Sequence, residues 1–525
     1  MRRFLGALLL WFAFGTAAHA EWHVAETAHF RLFLEGKADA ARAKAEVLED
    51  FRRLLVTWTG REPPSDTPKL DVYLVRRIAT ASPGQAVGAN VAGFWRATPG
   101  GMAAFAEQGN ASQLGGQHIL FHEVAHHFML ADALLAYPAW YIEGFAEYFS
   151  TAEFKADRIE VGKFSENRAQ WLVNGVWISP ERLLRGTSGM RGGDSAAMFY
   201  AQSWLLTHWL FRAPEAQGKL LPYLRRTSAG EDPVEAFKAE VMPRPVDLNP
   251  KLRTYLESPR ITYSRVKRAP LAPAEVTVTA LPPSADRLLM PMVAIEHGVG
   301  RERGAALLAL VRTEAVTAPA DDALAKRALA VAELNHGDAA TAARLIDDLL
   351  AAAPDDPTLL RWRGQAHLRA PGDVSAARRS FVRAFRADPD DWRTLMAWVR
   401  TFDPTRLGDA QMEVLKRAWT LAPQVSQNVL SMAVALGYRG ELADAARVLK
   451  PLAYSPHGGR LGEVAETLMT HAEAGNREAF LAAIPGSRAV IPPEAQGPGA
   501  PDGEAPGEAP AEPRAVAACR GCAPR

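Results

Sequence analysis

A proline recurs at nearly constant intervals in the C-terminal half of this chain of 525 residues. The intervals are 35, 35, 34 and 33 residues, and the prolines are Pro319, Pro354, Pro389, Pro423 and Pro456. Most of them separate an apolar helical run from a new one, because proline cannot continue a helix. The period predicts an array of helix–turn–helix units, an all-α solenoid. An ordinary helical bundle is the alternative, but a bundle has no reason to keep a fixed period.

These units resemble the tetratricopeptide repeat, and the unit that ends at Pro389 fits best. Its small and aromatic residues are spaced so that two helices can touch, at Gly364, Ala377, Phe381 and Ala384. The large aromatic residue usual in the first helix of such a unit is missing, and His367 stands in its place. The resemblance implies about five repeats over residues 283–484 and a groove that binds a protein partner.

The most specific motif of the chain is His122-Glu-Val-Ala-His126, within an apolar run that predicts a helix from near Gln117. Two histidines at i and i+4 share one helix face, so their imidazoles can bind one metal ion from adjacent turns. Glu123 lies beside that face, where it can reach a water molecule on the metal without being a ligand. This is the HExxH pattern of zinc metallopeptidases. The alternative is a pair of buried histidines with a structural role only.

Zinc needs a third protein ligand, and the segment Pro138-Ala-Trp-Tyr-Ile-Glu-Gly-Phe-Ala-Glu-Tyr148 carries two carboxylates. The metzincin pattern is excluded, because the Gly and the third His that it requires after His126 are missing. The aromatic pair followed by Glu-Gly-Phe-Ala resembles the second helix of gluzincins, zinc peptidases whose third ligand is a Glu of that helix. The resemblance places this ligand at Glu143 and implies one zinc ion per chain.

Two further residues have roles that the same resemblance suggests. Glu147 lies one turn after Glu143, where gluzincins often carry a carboxylate that hydrogen-bonds a ligand His. Glu147 is also the fallback third ligand, and a solvated helix residue is the alternative. Tyr200 resembles, in order and spacing, the tyrosine of gluzincin aminopeptidases that stabilises an oxyanion, with a packed core tyrosine as the alternative. His127 and His208 are expected to be packing or surface residues.

Residues 21–263 are therefore predicted to form an α+β metallopeptidase domain similar to the bacterial "peptidase MA-like" gluzincins. The resemblance rests on the segments HEVAHH, PAWYIEGFAEYF and YAQSWLLTHWL. Apolar patterns ahead of the motif helix predict strands at 29–34, 70–75, 91–95 and 102–106 and a helix at 38–58. Thr98-Pro-Gly-Gly101 predicts a hairpin, one strand of which is expected to pair with an extended peptide beside the cleft.

The ends of the chain and a proline-rich segment complete the predicted organisation. Residues 1–20 combine two arginines, an apolar run and Ala-His-Ala, which indicates a secretory signal cleaved after Ala20. The protein is therefore expected to be exported, periplasmic or secreted, with no membrane span in the mature chain. Residues 264–282 predict a linker and residues 485–525 a disordered tail. Both cysteines lie in that tail as Cys519-Arg-Gly-Cys522, a weak signal most simply explained by an exposed pair.

The balance of charges argues against nucleic-acid binding. The chain has 60 Lys and Arg residues against 59 Asp and Glu residues, so no overall field would attract nucleic acid.

The predicted function is that of a zinc metallopeptidase. An endopeptidase is favoured over an exopeptidase, because no Gly-x-Met-Glu-Asn motif is present. The expected substrate is a peptide or protein, hydrolysed by a zinc-activated water with Glu123 as the base. Two alternatives remain: a repeat scaffold with an inactive peptidase domain, and a zinc hydrolase of non-peptide amide bonds.

Overall fold

The computed structural model describes residues 21–84, 93–108, 116–133, 135–164, 166–186, 193–258, 262–268, 273–369, 372–455 and 458–485. Several features predicted from the sequence lie outside the described residues. They are the expected export signal, Pro456, both cysteines and the expected tail after its first residue. Within them, strands occur up to Ala280 and only helices follow. The chain is thus mixed α+β in its N-terminal part and helical in its C-terminal part.

The strands are β1 (Trp22–Glu26), β2 (Phe30–Glu35), β3 (Leu70–Val75), β4 (Gly93–Thr98), β5 (Gly101–Glu107), β6 (Glu153–Phe154), β7 (Arg158–Val161), β8 (Ser264–Lys267) and β9 (Thr277–Ala280). The helices before β8 are α1 (Ala38–Thr59), α2 (Gly116–Met129), α3 (Ala139–Ser150), α4 (Glu166–Asn174), α5 (Pro180–Arg185), α6 (Gly193–Arg212), α7 (Leu220–Ser228), α8 (Pro233–Glu240) and α9 (Leu248–Leu256).

The helices after β9 are α10 (Ala285–His297), α11 (Arg301–Thr317), α12 (Ala323–His336), α13 (Ala339–Ala352), α14 (Pro357–Arg369), α15 (Val374–Ala387), α16 (Trp392–Val399), α17 (Asp409–Leu421), α18 (Ser426–Arg439), α19 (Leu442–Ala453), α20 (Gly459–Glu473) and α21 (Arg477–Ala482).

Among the described residues, six strands form the main sheet, in the order β4-β5-β3-β2-β1-β9. The β2–β3 and β3–β5 pairs are parallel, whereas β4–β5, β1–β2 and β1–β9 are antiparallel. The hairpin predicted at residues 98–101 connects β4 to β5, and β4 is an edge strand of this sheet. The strand predicted at 70–75 and the helix predicted at 38–58 agree with β3 and α1 to within one residue.

The two faces of this sheet are covered by different parts of the chain. Successive residues of a strand point to opposite faces, so Val72 of β3 joins the core under α1 and α2 while Tyr73 faces the other way. Tyr73 packs in a second core that includes Leu289 and Val293 of α10, the first helix of the C-terminal part. The sheet therefore lies between the helix that carries the HExxH motif and the start of the helical region.

The segment predicted as a linker differs from that expectation in the structure. It contains β8, which pairs with β7 in a small three-stranded sheet, and β9, which completes the main sheet beside β1. β9 has the sequence Thr-Val-Thr-Ala, and its β-branched residues favour the extended backbone that pairing requires. Both strands pair with residues more than a hundred positions earlier, and no local pattern indicates such a pairing.

The C-terminal helices follow one another in pairs, and neighbouring helices pack together. The four described prolines of the period lie between the second helix of one pair and the first helix of the next, after α11, α13, α15 and α17. In the best-fitting unit Gly364 of α14 lies directly against the ring of Phe381 of α15, where a Cβ would overlap the ring. The close helix contact expected from the small residue is therefore present.

The helical part also packs against the α+β part. The backbone of Gly100, at the tip of the β4–β5 hairpin, lies against the carbonyl of Glu296 at the end of α10. Gln424 donates its side-chain amide to the carbonyl oxygen of His127 in α2, over 3.3 Å. Arg417 of α17 pairs with Asp66. A single hydrophobic core extends from α1, α2 and α3 into α16 to α20, so the two parts share buried apolar surface.

None of the helices in the described part of the chain combines the length and the apolar character needed to cross a bilayer.

Candidate metal centre

Three histidines line one face of α2. His118, His122 and His126 are spaced by four residues, so they lie on successive turns of the same face. Most other residues of α2 are buried, and Phe121 among them stacks on Phe51 of α1, with ring centroids 4.1 Å apart. This packing fixes α2 against the sheet layer and leaves the histidine face turned towards α3.

Helix α3 presents a matching row of polar side chains. Glu143, Glu147 and Ser150 are spaced by four and three residues, and every residue of this helix is buried. The two rows meet in register: Glu143 lies near His122 and His126, Glu147 near His122, and Ser150 near His118. The site is thus built by two helices whose polar faces oppose each other within an apolar surrounding.

One atom from each of His122, His126 and Glu143 converges on a single point. Nε2 of His126 lies 2.9 Å from Nε2 of His122. Oε2 of Glu143 lies 3.5 Å from each of these nitrogens. These three residues form the one group of His, Cys, Asp and Glu side chains, among the described residues, that is arranged to hold a metal ion.

The geometry of this group suits zinc. Zinc binds imidazole nitrogen and carboxylate oxygen at about 2.0–2.2 Å, so a tetrahedral site separates its ligand atoms by about 3.3–3.6 Å. The two distances to Glu143 lie in this range, and the distance between the imidazole nitrogens is somewhat shorter. Glu143 is completely buried, and a buried carboxylate is costly unless a cation compensates its charge. Two imidazoles and one carboxylate are also the ligand set of several catalytic zinc sites.

Glu147 occupies a different position from Glu143. Its Oε1 lies 3.3 Å from Nδ1 of His122, the ring nitrogen that does not face His126. Both of its oxygens also accept hydrogen bonds from Arg168, at 2.9 and 2.6 Å. A carboxylate on Nδ1 favours the tautomer that leaves Nε2 free for a metal ion. Glu147 therefore has the geometry of a partner of His122, and Glu143 is the carboxylate that lies with the two histidines.

Charges around His122 and Glu147 set their protonation in the metal-free protein. Burial lowers the pKa of His122, but the hydrogen bond with Glu143 and the nearby carboxylates of Glu147 and Glu123 outweigh it and raise the pKa to about 9. Burial acts to raise the pKa of Glu147, but Arg168 overcomes this and lowers it to about 2. Glu147 is consequently ionised at neutral pH, and a metal ion would compete with a proton for His122.

Glu123 follows His122 in α2 and lies outside the three-residue metal group. Its side chain retains a small exposure, with 9% of the residue accessible. It is close enough to His122 to influence the pKa of that imidazole. Glu123 therefore lies near His122 and still reaches solvent.

Tyr200 of α6 lies near His122. The centroid of its ring is 6.3 Å from that of the His122 imidazole, and the guanidinium of Arg168 lies over the ring at 5.3 Å. Burial, together with the charge of Glu143, raises the pKa of Tyr200 well above its usual value. The phenol therefore keeps its proton at neutral pH and can act as a hydrogen-bond donor near the site.

The remaining histidines of these segments have structural surroundings. His127 is buried, and burial lowers its pKa to about 4. His208 is fully buried, with Tyr255 Oη 2.9 Å from Nδ1 and the Gly162 carbonyl oxygen 3.1 Å from Nε2. Both pack in the interior, which was one of the two expectations for them.

Sequence reasoning missed two residues of this site. His118 precedes His122 by four residues, so the helix period would have indicated that it shares the same face. Its Nε2 lies 3.1 Å from Oγ of Ser150, and burial lowers its pKa to about 4. Arg168 follows Glu147 by 21 residues in a segment without a motif, and only the folded chain brings the two together.

Comparison with protein-family models, with curated proteins and with solved structures finds no match for this chain.

Proposed function

We propose that this chain is an exported zinc-dependent metallopeptidase of the gluzincin type, which hydrolyses peptide bonds in peptides or proteins. The observation that carries the proposal is the convergence of His122, His126 and Glu143 on one point, with Glu123 on the same helix. Three protein ligands leave one position of a tetrahedral zinc open for water or substrate, as catalytic sites require. Export is part of the proposal because of the signal-like sequence of residues 1–20.

His122, His126 and Glu143 would hold the ion. Zinc bound there would supply Lewis acidity, lowering the pKa of a coordinated water to about 7 and polarising the substrate carbonyl. Glu147 keeps Nε2 of His122 directed to the metal position by accepting the Nδ1 proton, and it stays ionised because of Arg168. The chain's own residues thus define which atoms face the metal before substrate arrives.

Glu123 performs the proton transfers. Its carboxylate accepts a proton from the attacking water, whose oxygen bonds to the scissile carbonyl carbon. As the carbon–nitrogen bond breaks, the same carboxyl group donates that proton to the leaving amine. General acid–base catalysis of this kind contributes typically about 10²–10⁴-fold to the rate.

Tyr200 assists at the carbonyl oxygen. Charge develops on that oxygen as the tetrahedral intermediate forms, and a phenol that keeps its proton can donate a hydrogen bond to it. The raised pKa of Tyr200 and its place beside His122 support this assignment. A packed tyrosine without a catalytic part is the alternative, and the Tyr200→Phe variant separates the two.

We propose that the C-terminal helices are repeats of the tetratricopeptide type that bind a protein partner. Their paired order, the prolines between pairs and the contact of Gly364 with Phe381 support the assignment. An endopeptidase is proposed because the sequence carries no Gly-x-Met-Glu-Asn motif for a free N-terminus.

The test compares the wild-type protein with a Glu123→Gln variant on a mixed peptide library, after metal analysis of both. We expect about one zinc per chain in each protein, internal cleavage by the wild type, and a loss of at least about 10²-fold in kcat for the variant. Glu413→Gln, an exposed change on α17, is the matched control and should cleave like the wild type.

The outcomes separate the alternatives. A wild-type protein without zinc would contradict the metal site. Zinc binding without peptide cleavage would favour the scaffold, or a hydrolase of non-peptide amides, and assays on amide-linked cell-wall fragments would then distinguish these two. Equal cleavage by wild type and Glu123→Gln would show that Glu123 is not the base.

A further inference from the structure

Arg168 of α4 binds Glu147 through two parallel hydrogen bonds. Its Nε donates to Oε2 over 2.9 Å and its Nη2 donates to Oε1 over 2.6 Å. This two-pronged geometry fixes both the position and the orientation of a carboxylate, which a lysine cannot do. The side chain of Glu147 is 2% exposed and that of Arg168 is 26% exposed, so the carboxylate is shielded from water while the arginine side chain keeps some contact with it.

The carboxylate that Arg168 holds is the one that contacts His122. Oε1 of Glu147 accepts from Arg168 and also lies 3.3 Å from Nδ1 of His122. Arg168 thereby acts on the imidazole through Glu147. An arginine stays protonated at any physiological pH, so the guanidinium is a permanent partner for this carboxylate.

The same guanidinium also reaches Tyr200. It lies over the phenol ring at 5.3 Å, a distance at which a cation is attracted to the face of an aromatic ring. Glu147 and Tyr200 come from α3 and α6, so one side chain from a third helix contacts both. Among the described residues, Arg168 and the imidazole of His122 are the groups that form ion pairs with Glu147.

We propose that Arg168 is a positioning residue of the metal centre, which holds Glu147 on Nδ1 of His122, away from the ligand position, and keeps the Tyr200 ring beside that imidazole. This inference rests on the proposed function, because it assigns a role within that site. Without Arg168, the buried carboxylate of Glu147 would lose its compensating charge and would be free to turn towards the two Nε2 atoms. The site would then contain two competing carboxylates.

A double-mutant cycle tests the inference with zinc alone as the probe. The proteins are wild type, Arg168→Met, Glu147→Gln and the double variant, and the zinc dissociation constant is measured by competition with a chromogenic chelator. Loss of an outer contact to a ligand histidine typically weakens metal binding about 10- to 100-fold. We expect losses of that size in each single variant and no further loss in the double variant, because Arg168 acts through Glu147.

Three further measurements sharpen the test. Arg168→Lys keeps the charge but not the two-pronged geometry, so it should recover only part of the affinity. Arg185→Met removes an arginine that pairs in the same manner with Asp232 at the surface, and it should bind zinc like the wild type. In zinc-saturated Arg168→Met, kcat should fall while KM stays unchanged, since Arg168 does not contact substrate.

Arg168→Met leaves Glu147 as a buried, unpaired charge and can therefore fail to fold. The comparison of Glu147→Gln with the double variant avoids this problem, because neither protein contains the buried carboxylate, and the guanidinium that Glu147→Gln leaves without its partner belongs to a side chain that is 26% exposed. The positioning role would be overturned if the losses of zinc affinity in the two single variants multiplied in the double variant. A raised KM with unchanged kcat in Arg168→Met would overturn it as well. A wild-type protein that binds no zinc would overturn the proposed function and this inference with it, whereas multiplying losses in zinc-binding proteins would overturn this inference alone.

Discussion

Gly144 of α3 lies directly against Thr207 of α6, so closely that a Cβ at position 144 would overlap the Thr207 hydroxyl and the carbonyl oxygen of Ser203. The glycine follows Glu143, the carboxylate of the metal group. The approach of these two helices therefore determines where Glu143 lies relative to α2. In the sequence Gly144 looks like part of the ligand motif. In the fold it is a residue at which α3 contacts α6.

Replacement of Gly144 by alanine should destabilise the protein and weaken its metal site. Part of the obstacle is backbone, so α3 must move, and overpacking of this kind costs about 1–3 kcal/mol of unfolding free energy. Chemical denaturation and zinc titration would measure both effects. Gly462→Ala in α20 is the control, because its Cβ would make an ordinary contact and alanine favours a helix. Equal stability of Gly144→Ala and wild type would contradict the close packing.

Replacement of Glu143 should weaken zinc binding more than replacement of Glu147. Glu143→Gln removes the charge of the proposed third ligand, whereas Glu147→Gln removes only the partner of His122 Nδ1. We expect Glu147→Gln to weaken zinc binding about 10- to 100-fold and Glu143→Gln to weaken it further. The zinc dissociation constants of the two variants, measured side by side, give the order. The reverse order would make Glu147 the third ligand.

Tyr200→Phe should bind zinc normally and lose catalytic rate. Loss of one donor to a developing oxyanion costs about 10²–10³-fold in kcat, and the ring that packs beside His122 is retained. Steady-state kinetics with a cleaved peptide, together with metal analysis, would measure this. Tyr73→Phe, in the core on the far face of the sheet, should leave kcat unchanged. A rate for Tyr200→Phe equal to that of wild type would assign Tyr200 to packing.

Stability should fall in mild acid because of His208. Burial lowers its pKa to about 4, compared with about 6.5 in the unfolded chain, so the folded state keeps it neutral while the unfolded state takes up a proton. The unfolding free energy should therefore decrease as the pH falls from about 6.5 to about 4, by up to about 3 kcal/mol for this residue. In His208→Gln, the slope of the unfolding free energy against pH should fall by the amount that corresponds to one proton bound on unfolding. An unchanged slope would contradict the neutral buried imidazole.

Much of the N-terminal part can be predicted from the sequence because its signals are local. The alternation of β3 and the periodicity of α1 indicate their bounds to within one residue. The spacing of His122 and His126 places them on one helix face wherever that helix lies. For Glu143 the prediction came from a resemblance in the following segment, and the structure brings it to the two histidines. The strands of the proline-rich segment were not predicted, since their partners lie far away in the chain.

The sequence by itself determined the helical periods, the pair of histidines and the candidate carboxylates, because these depend on spacing within single helices. Only the tertiary structure decided that Glu143 joins the histidines while Glu147 contacts Nδ1 of His122, and that Arg168 holds Glu147 there. The physical reason is that two carboxylates one turn apart are equivalent within their own helix. The packing of α3 against α2 and the side chain of Arg168, which reaches Glu147 from α4, make them different, because Glu143 meets the two histidines and Glu147 meets a guanidinium.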